Sequence, residues 1–335
     1  MNRSQICQHC FSCVIAIGLL AAPRFANAAE VDTNIIKVGV IGLDTSHAAA
    51  FTKELRKSDG VDGKAKLRVV AAYPYGSRTI ESSSSRIPAI TQEMESLGVE
   101  IVDSIAELLS RVDAVLLETN DGGLHREQSH EIFASGKPVF IDKPVAATLK
   151  DAVAIYKEAQ SLGVPLFSSS ALRYSGNIQA IRNGSVGAVL GCDAYSPCTT
   201  EPSHSDLYWY GIHGVETLFA CMGEGCVSVT RSSSEDFDVV AGTWADGRIG
   251  TFRGIRKGAS GYGGTVFGEK GIVVIEKFEG YKPLVTQVAE FFRTKKVPIA
   301  PTETLEIYAF MEAAAQSKLK GGMPVTIESV MNAAK

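Results

Sequence analysis

The run Ile35-Ile36-Lys37-Val38-Gly39-Val40-Ile41-Gly42-Leu43-Asp44-Thr45-Ser46-His47 decides how this chain is read. Ile35–Gly42 is a nearly continuous apolar stretch of strand length, without the alternation of a half-exposed strand. A strand that is apolar on both faces is buried on both faces, as in a parallel sheet covered by helices. Asp44, Thr45 and Ser46 are good N-cap residues, such a cap being worth about 1 kcal/mol. Helical character follows over Ala48–Arg56.

The same alternation continues outward. Leu67–Tyr73, Asp113–Glu118, Val139–Ile141 and Val164–Phe167 read as further buried strands, with helices over Leu124–Ser135 and Lys150–Ser161. The serine cluster Ser82–Ser85 reads as a loop. Residues 29–170 are therefore expected to form an α/β, Rossmann-like, doubly wound parallel sheet. Beyond about Gly187 the pattern changes to strands at Val186–Ala194, Cys226–Ser232, Asp238–Thr243, Ile249–Ile255, Gly264–Phe267 and Ile272–Glu276. One helix, Leu207–Met222, interrupts them, and helices return at Lys282–Arg293 and Thr302–Lys318. Residues 171–335 thus predict an α+β domain with a largely antiparallel, open-faced sheet, whose last helices can pack back on the first domain.

The N-terminus reads as an address. Arg3 precedes the apolar stretch Phe11–Ala22, and Ala26-Asn27-Ala28 has the small-x-small form of a cleavage site, so residues 1–28 are expected to be a signal peptide cut after Ala28. The expected location is periplasmic or extracellular. The apolar stretch is short of the roughly 20 residues of a membrane span, and no later run spans a bilayer. The chain carries 33 basic and 37 acidic side chains, a net charge of −4, which argues against nucleic acid or an anionic membrane as partner. Cys7, Cys10 and Cys13 lie inside the signal. Cys192, Cys198, Cys221 and Cys226 remain, and both one disulfide and buried free thiols stay open for them.

The first strand turn sits where a dinucleotide site begins. Three glycines normally let backbone amides approach a pyrophosphate at the helix N-terminus. Here Gly42 holds the first position, while Asp44 and His47 hold the second and third. The competing reading is an ordinary capped strand–helix turn. No acid for ribose hydroxyls occurs between Lys64 and Ile80, whereas Arg78 is placed to meet a 2′-phosphate, a hint of NADP over NAD. At another strand end, Val139-Phe140-Ile141-Asp142-Lys143-Pro144 delivers a lysine to the edge where open α/β sheets bind ligands. Desolvation there suits it to proton-transfer or electrostatic work.

These landmarks resemble the Gfo/Idh/MocA family, of which glucose–fructose oxidoreductase and inositol dehydrogenase are the namesakes. The resemblance rests on Glu118-Thr119-Asn120, His125, Ser135-Gly136-Lys137-Pro138-Val139 and Asp142-Lys143-Pro144. Arg173-Tyr174-Ser175, Gly184–Gly187, Gly268-Glu269-Lys270-Gly271 and Glu312-Ala313-Ala314 extend it over nearly all of the chain after residue 28. The family's Asp-x-Gly-x-His landmark corresponds to Trp209-Tyr210-Gly211-Ile212-His213, with tryptophan in place of the aspartate. The resemblance implies catalytic roles for Lys143, beside nicotinamide and substrate, and for His213 as acid/base. It implies NAD or NADP held by Gly42, Leu43, Ser46, Thr119, Asn120, His125, Asp142 and Arg173, and a homo-oligomer formed through the C-terminal sheet.

The implied activity is hydride transfer to or from a sugar, cyclitol or related polyol, since a histidine can take the hydroxyl proton and a lysine cation can stabilise the alkoxide. The alternative is a cofactor-free descendant, a carbohydrate-binding protein or a lyase- or hydrolase-like enzyme outside the cytoplasm. Tyr208, Trp209 and Tyr210 offer aromatic faces for a sugar, at most one or two of them at once. His204, Asp206, His213 and Glu216 also read as metal ligands, a minor alternative, and no metal centre is expected.

Overall fold

The structure is a computed structural model and describes residues 35–57, 64–275 and 278–335. The expected signal peptide lies outside these residues. Six parallel strands form the first sheet: β1 (Ile35–Ile41), β2 (Lys66–Tyr73), β3 (Glu100–Ile101), β4 (Ala114–Leu117), β5 (Val139–Ile141) and β6 (Leu166–Phe167). Their order is 3-2-1-4-5-6, so the winding reverses between β1 and β4 and opens a crevice at their C-terminal ends. β4 and β5 are buried at every position, as their unbroken apolar sequences require.

Helix α1 (Ser46–Lys57) leaves β1 through Gly42, whose φ of 89° is a left-handed conformation that costs a glycine little. A side chain at Gly42 would also collide with the Thr119 backbone, 2.4 Å from an added Cβ. The segment between β2 and β4 is richer than the sequence reading. Ser82–Ser84 belong to a short helical turn, α2 (Glu81–Ser84), which is followed by α3 (Ile87–Ser96) and, after β3, α4 (Ile105–Leu109). The remaining helices of this half are α5 (His125–Ala134) and α6 (Leu149–Ser161); the Thr148 hydroxyl caps α6 by accepting from the Asp151 amide at 3.1 Å.

After α7 (Gly176–Arg182), the strand β7 (Val189–Pro197) begins the second sheet, and α8 (Ile212–Met222) follows. The single helix expected over Leu207–Met222 is divided, with a turn of 3-10 helix at Asp206–Tyr208. Then come β8 (Cys226–Ser233), β9 (Phe237–Trp244), β10 (Ile249–Ile255), β11 (Gly263–Gly268) and β12 (Gly271–Ile275). The chain ends with α9 (Lys282–Thr294), α10 (Pro301–Leu319), β13 (Val325–Thr326) and α11 (Ile327–Ala333). The seven strands run in the order 12-11-7-10-9-8-13, antiparallel except for β7 beside β10.

Gly214 fixes how closely α8 lies on this sheet, because an added Cβ would stand 2.3 Å from the Phe252 ring. The other face of the sheet is open. α9 joins the first sheet's core, its Val288, Phe291 and Phe292 in one apolar cluster with Phe51, Phe140 and Phe167. Cys192, Cys198, Cys221 and Cys226 are buried free thiols. Among the described residues no helix is long and apolar enough to cross a membrane.

Candidate active site

A cleft of about 220 Å³ opens where β1, β4 and β5 end. The N-terminal turn of α1 (Thr45, Ser46, His47) lines one side, with Ser82, Arg86 and Asn120. Asp142 and Lys143 form its floor, and Ser170, Trp209, Tyr210 and His213 come from the second half of the chain. Tyr262, Phe278 and Tyr281 complete an aromatic wall.

Lys143 is 8% exposed, and among the described residues its ammonium makes no hydrogen bond or ion pair. Its charge is therefore free to act on whatever enters the cleft. His213 lies on the first turn of α8, its Nδ1 2.8 Å from Ser170 Oγ, and Tyr210 and Tyr262 flank it edge-on. Burial, with Lys143 and His47 adding to it, holds the imidazole well below its ordinary pKa. The ring is neutral near neutral pH. It is a base at Nε2 in the tautomer whose Nδ1–H donates to Ser170 Oγ.

Ser170 is itself held. Its amide donates to Glu216 Oε2 at 2.7 Å, and Glu216 Oε1 accepts from Ser169 Oγ and from Arg173 Nε. Arg173 Nη1 also donates to Glu303 at 2.6 Å. Arg173 is 1% exposed and absent from the cleft lining, so it braces the histidine's support and cannot meet a cofactor, which corrects the expectation for it.

The other expected cofactor residues divide. Ser46, Asn120 and Asp142 line the cleft. Gly42, Leu43 and Thr119 shape its wall from behind, Leu43 and Thr119 being fully buried. His125 is fully buried, with Nε2 2.7 Å from the Thr119 carbonyl and Nδ1 3.3 Å from that of Val145, so it pins the β4 loop and faces no ligand. Asp44, which holds the second glycine position, is turned inward. Its carboxylate accepts from the amides of Ser77 at 2.9 Å and Asn120 at 3.0 Å, and burial raises its pKa.

Four side chains escaped the sequence reading. His47, noticed only as a missing glycine, pairs through Nδ1 with Asp142 Oδ2 at 2.7 Å and packs against Phe51 and Tyr281. Glu118, noticed only as a landmark, is fully buried with both carboxylate oxygens unpartnered; burial first, and then the charge of Asp142, push its pKa well up. Asp142 moves the other way, because His47 and Lys143 outweigh its burial. Tyr262 and Tyr281 enter from distant loops without local signal. Of the aromatic triplet, Tyr208 is core and donates to the Tyr308 carbonyl at 2.9 Å, whereas Trp209 and Tyr210 face the cleft. The rejected zinc set is dispersed: His204 accepts from the Gly122 amide, Asp206 pairs with Arg231, and Glu216 with Arg173.

Known proteins place this geometry. Residues 36–170 match the sequence family GFO_IDH_MocA, described as "Oxidoreductase family, NAD-binding Rossmann fold". A 1,5-anhydro-D-fructose reductase of Ensifer adhaerens is 36% identical over 92 residues, 27% of either chain. A 2,7-anhydro-N-acetylneuraminate hydratase of Escherichia coli (strain K12) is 25% identical over 162 residues, 47% of this chain and 39% of the relative. The chain thus matches well under half the length of either curated relative. The solved structure of scyllo-inositol dehydrogenase from Lactobacillus casei, with bound NAD(H) and scyllo-inositol, superposes with a TM-score of 0.68 at 16% identity, covering 88% of this chain and 99% of that one. Residues 36–170 are therefore similar to the NAD-binding Rossmann fold of the Gfo/Idh/MocA oxidoreductases, and the two sheets together carry the fold of that dehydrogenase.

Proposed function

We propose that this chain is an NAD(P)-dependent oxidoreductase acting on a sugar, cyclitol or related polyol. The observation that carries the reading is that an unpaired lysine ammonium and a neutral histidine, from different halves of the chain, face one aromatic-walled cleft at the sheet's switch point. The two curated relatives act, by their names, on sugar derivatives, and the superposed dehydrogenase holds an inositol.

The residues present fit a nicotinamide dinucleotide along this cleft. The N-terminal turn of the 12-residue α1 faces the cleft together with the Arg86 guanidinium, and both suit phosphate. Asp44 puts no charge there, because Ser77 and Asn120 hold its carboxylate inside. The bound cofactor supplies the hydride acceptor or donor. Lys143 then stabilises negative charge on the reacting oxygen, and His213 takes up or returns its proton through Nε2. Trp209 and Tyr210 orient the sugar face, while Ser170, held by Glu216, keeps the imidazole in place.

Turnover of a polyol panel, followed by nicotinamide absorbance with either NAD or NADP, tests the activity. In the oxidation direction kcat/KM should fall on the acid side as His213 gains its proton. A depressed pKa keeps the ring neutral to lower pH, so the midpoint of this limb is expected below the ordinary histidine value of about 6.5. A limb at or above that value contradicts the role given to His213.

A second reading, a cofactor-free lyase or binding protein, is favoured by one observation. The closure of Ser77 and Asn120 on Asp44 fills the place of the second glycine with the chain's own groups. Export through the expected signal peptide would take the chain away from nicotinamide pools, in keeping with this second reading. Failure to bind NADH and NADPH would select it.

The partner we propose is a second copy. Ile272, Phe267 and Ile249 lie in one cross-strand row on the open sheet face, with Ile272 68% exposed. Val274, 65% exposed, lies beside them, an apolar patch that calls for a cover. Light scattering should show an oligomer that Ile249→Asp together with Val274→Asp converts to monomer; a monomeric wild type contradicts this.

A further inference from the structure

We propose that His47, Glu118 and Asp142 form a binding site for a divalent first-row transition ion, of the zinc or manganese class, set into the inner wall of the cleft. One ligand atom from each lies within 4.8 Å of the other two. Bonds of about 2.0–2.2 Å to imidazole and carboxylate require donor atoms about 3–4 Å apart, so small side-chain adjustments close the site. The 2.7 Å contact of His47 with Asp142 opens slightly as the ion enters.

The independent pointer is Glu118. It is fully buried at the end of β4, yet neither carboxylate oxygen has a partner, and Asp142 Oδ1 beside it has none either. Buried polar atoms are nearly always satisfied, so three orphaned acceptors on two neighbouring carboxylates call for a cation or a donor. Two carboxylates and an imidazole match the ligand preference of zinc or manganese.

The site sits where regular elements begin and end. His47 is on the first full turn of α1, and Glu118 and Asp142 directly follow the adjacent parallel strands β4 and β5. Phe51 stacks on the His47 ring at 5.4 Å and Tyr281 meets its edge at 4.7 Å, which fixes the ring's orientation. His47 and Asp142 line the cleft, so the ion's remaining face is open to a water or a ligand oxygen. Lys143, next in sequence to Asp142, is the competing cation: its charge acts on both Glu118 and Asp142, yet among the described residues it makes no hydrogen bond or ion pair to either.

The test measures occupancy and needs no turnover, so its outcome is independent of the oxidoreductase reading. Chelator-treated full-length protein, with Cys7, Cys10 and Cys13 changed to serine, is titrated with Zn²⁺ and with Mn²⁺ by calorimetry. The expected result is close to one ion per chain. Binding should weaken at least about tenfold in Glu118→Gln and in His47→Ala. It should be unchanged in His130→Ala, which removes a surface histidine paired with Glu158. No binding by the wild type, or equal binding by Glu118→Gln, overturns the proposal. Anomalous diffraction from wild-type crystals soaked in Zn²⁺ gives a second answer that needs no variant: a peak among the three groups supports the site, and its absence there refutes it.

Discussion

Replacing Lys143 with methionine is expected to lower kcat/KM about a thousandfold while the protein stays folded. Methionine keeps the length and apolar stem of the side chain and removes only the charge. That charge is 8% exposed and makes no ion pair among the described residues, so its field falls on the cleft and is weakly screened. Losing one preorganised electrostatic group at a reacting oxygen typically costs about 10²–10³ in rate, and losing an acid–base partner about 10²–10⁴. Lys143→Arg should not restore activity, since a guanidinium fork cannot take the place of a compact ammonium. His213→Asn should cost a similar factor, and the double variant little more than either alone, because the two groups act on one oxygen. Steady-state kinetics on the four variants, with circular dichroism to confirm folding, is the check. A Lys143→Met enzyme within tenfold of wild type would remove this residue from the mechanism.

Arg173→Leu is expected to be the most damaging single change for stability, at roughly 3–5 kcal/mol. The guanidinium is buried between Glu216 at 2.8 Å and Glu303 at 2.6 Å. Leucine would leave Glu216 without a cation in a dry interior, and Glu303 with only Arg182, 3.9 Å away. Glu216 also receives the Ser170 amide, and Ser170 Oγ contacts His213 Nδ1. The loss should therefore reach the active site and lower kcat more than it raises KM. Urea denaturation gives the stability term, and kinetics below the unfolding transition gives the other. Wild-type stability in Arg173→Leu would show that the network contributes little.

The two sheets were legible because burial on both faces writes itself into the sequence. Leu116 and Phe140 are apolar for the same reason that they are inaccessible. Lys143 and His213 were legible through landmarks in a fixed order, and both face the cleft. The errors fall where one residue's meaning depends on a distant partner. Arg173 carried the signal of a ligand-binding arginine, yet two glutamates, 43 and 130 positions away, claim it. His125 opens α5 like a landmark and spends its ring on two carbonyls. His47 and Glu118 are 71 positions apart, as the numbering shows, and only the 3-2-1-4-5-6 strand order brings them together. The helices between β2 and β4 went unseen because short, serine-rich and acidic segments carry weak periodicity.

The central claim is that a nicotinamide cofactor occupies the cleft beside Lys143. Of the two tryptophans, Trp209 lines the cleft and Trp244 is 1% exposed in the second sheet's core, so quenching of Trp209 reports binding there. Titration with NADH and with NADPH is expected to quench this emission saturably, with a midpoint between about 1 µM and 1 mM, and Trp209→Phe should abolish the response. No binding of either nucleotide at millimolar concentration, by fluorescence and by calorimetry, would contradict the account.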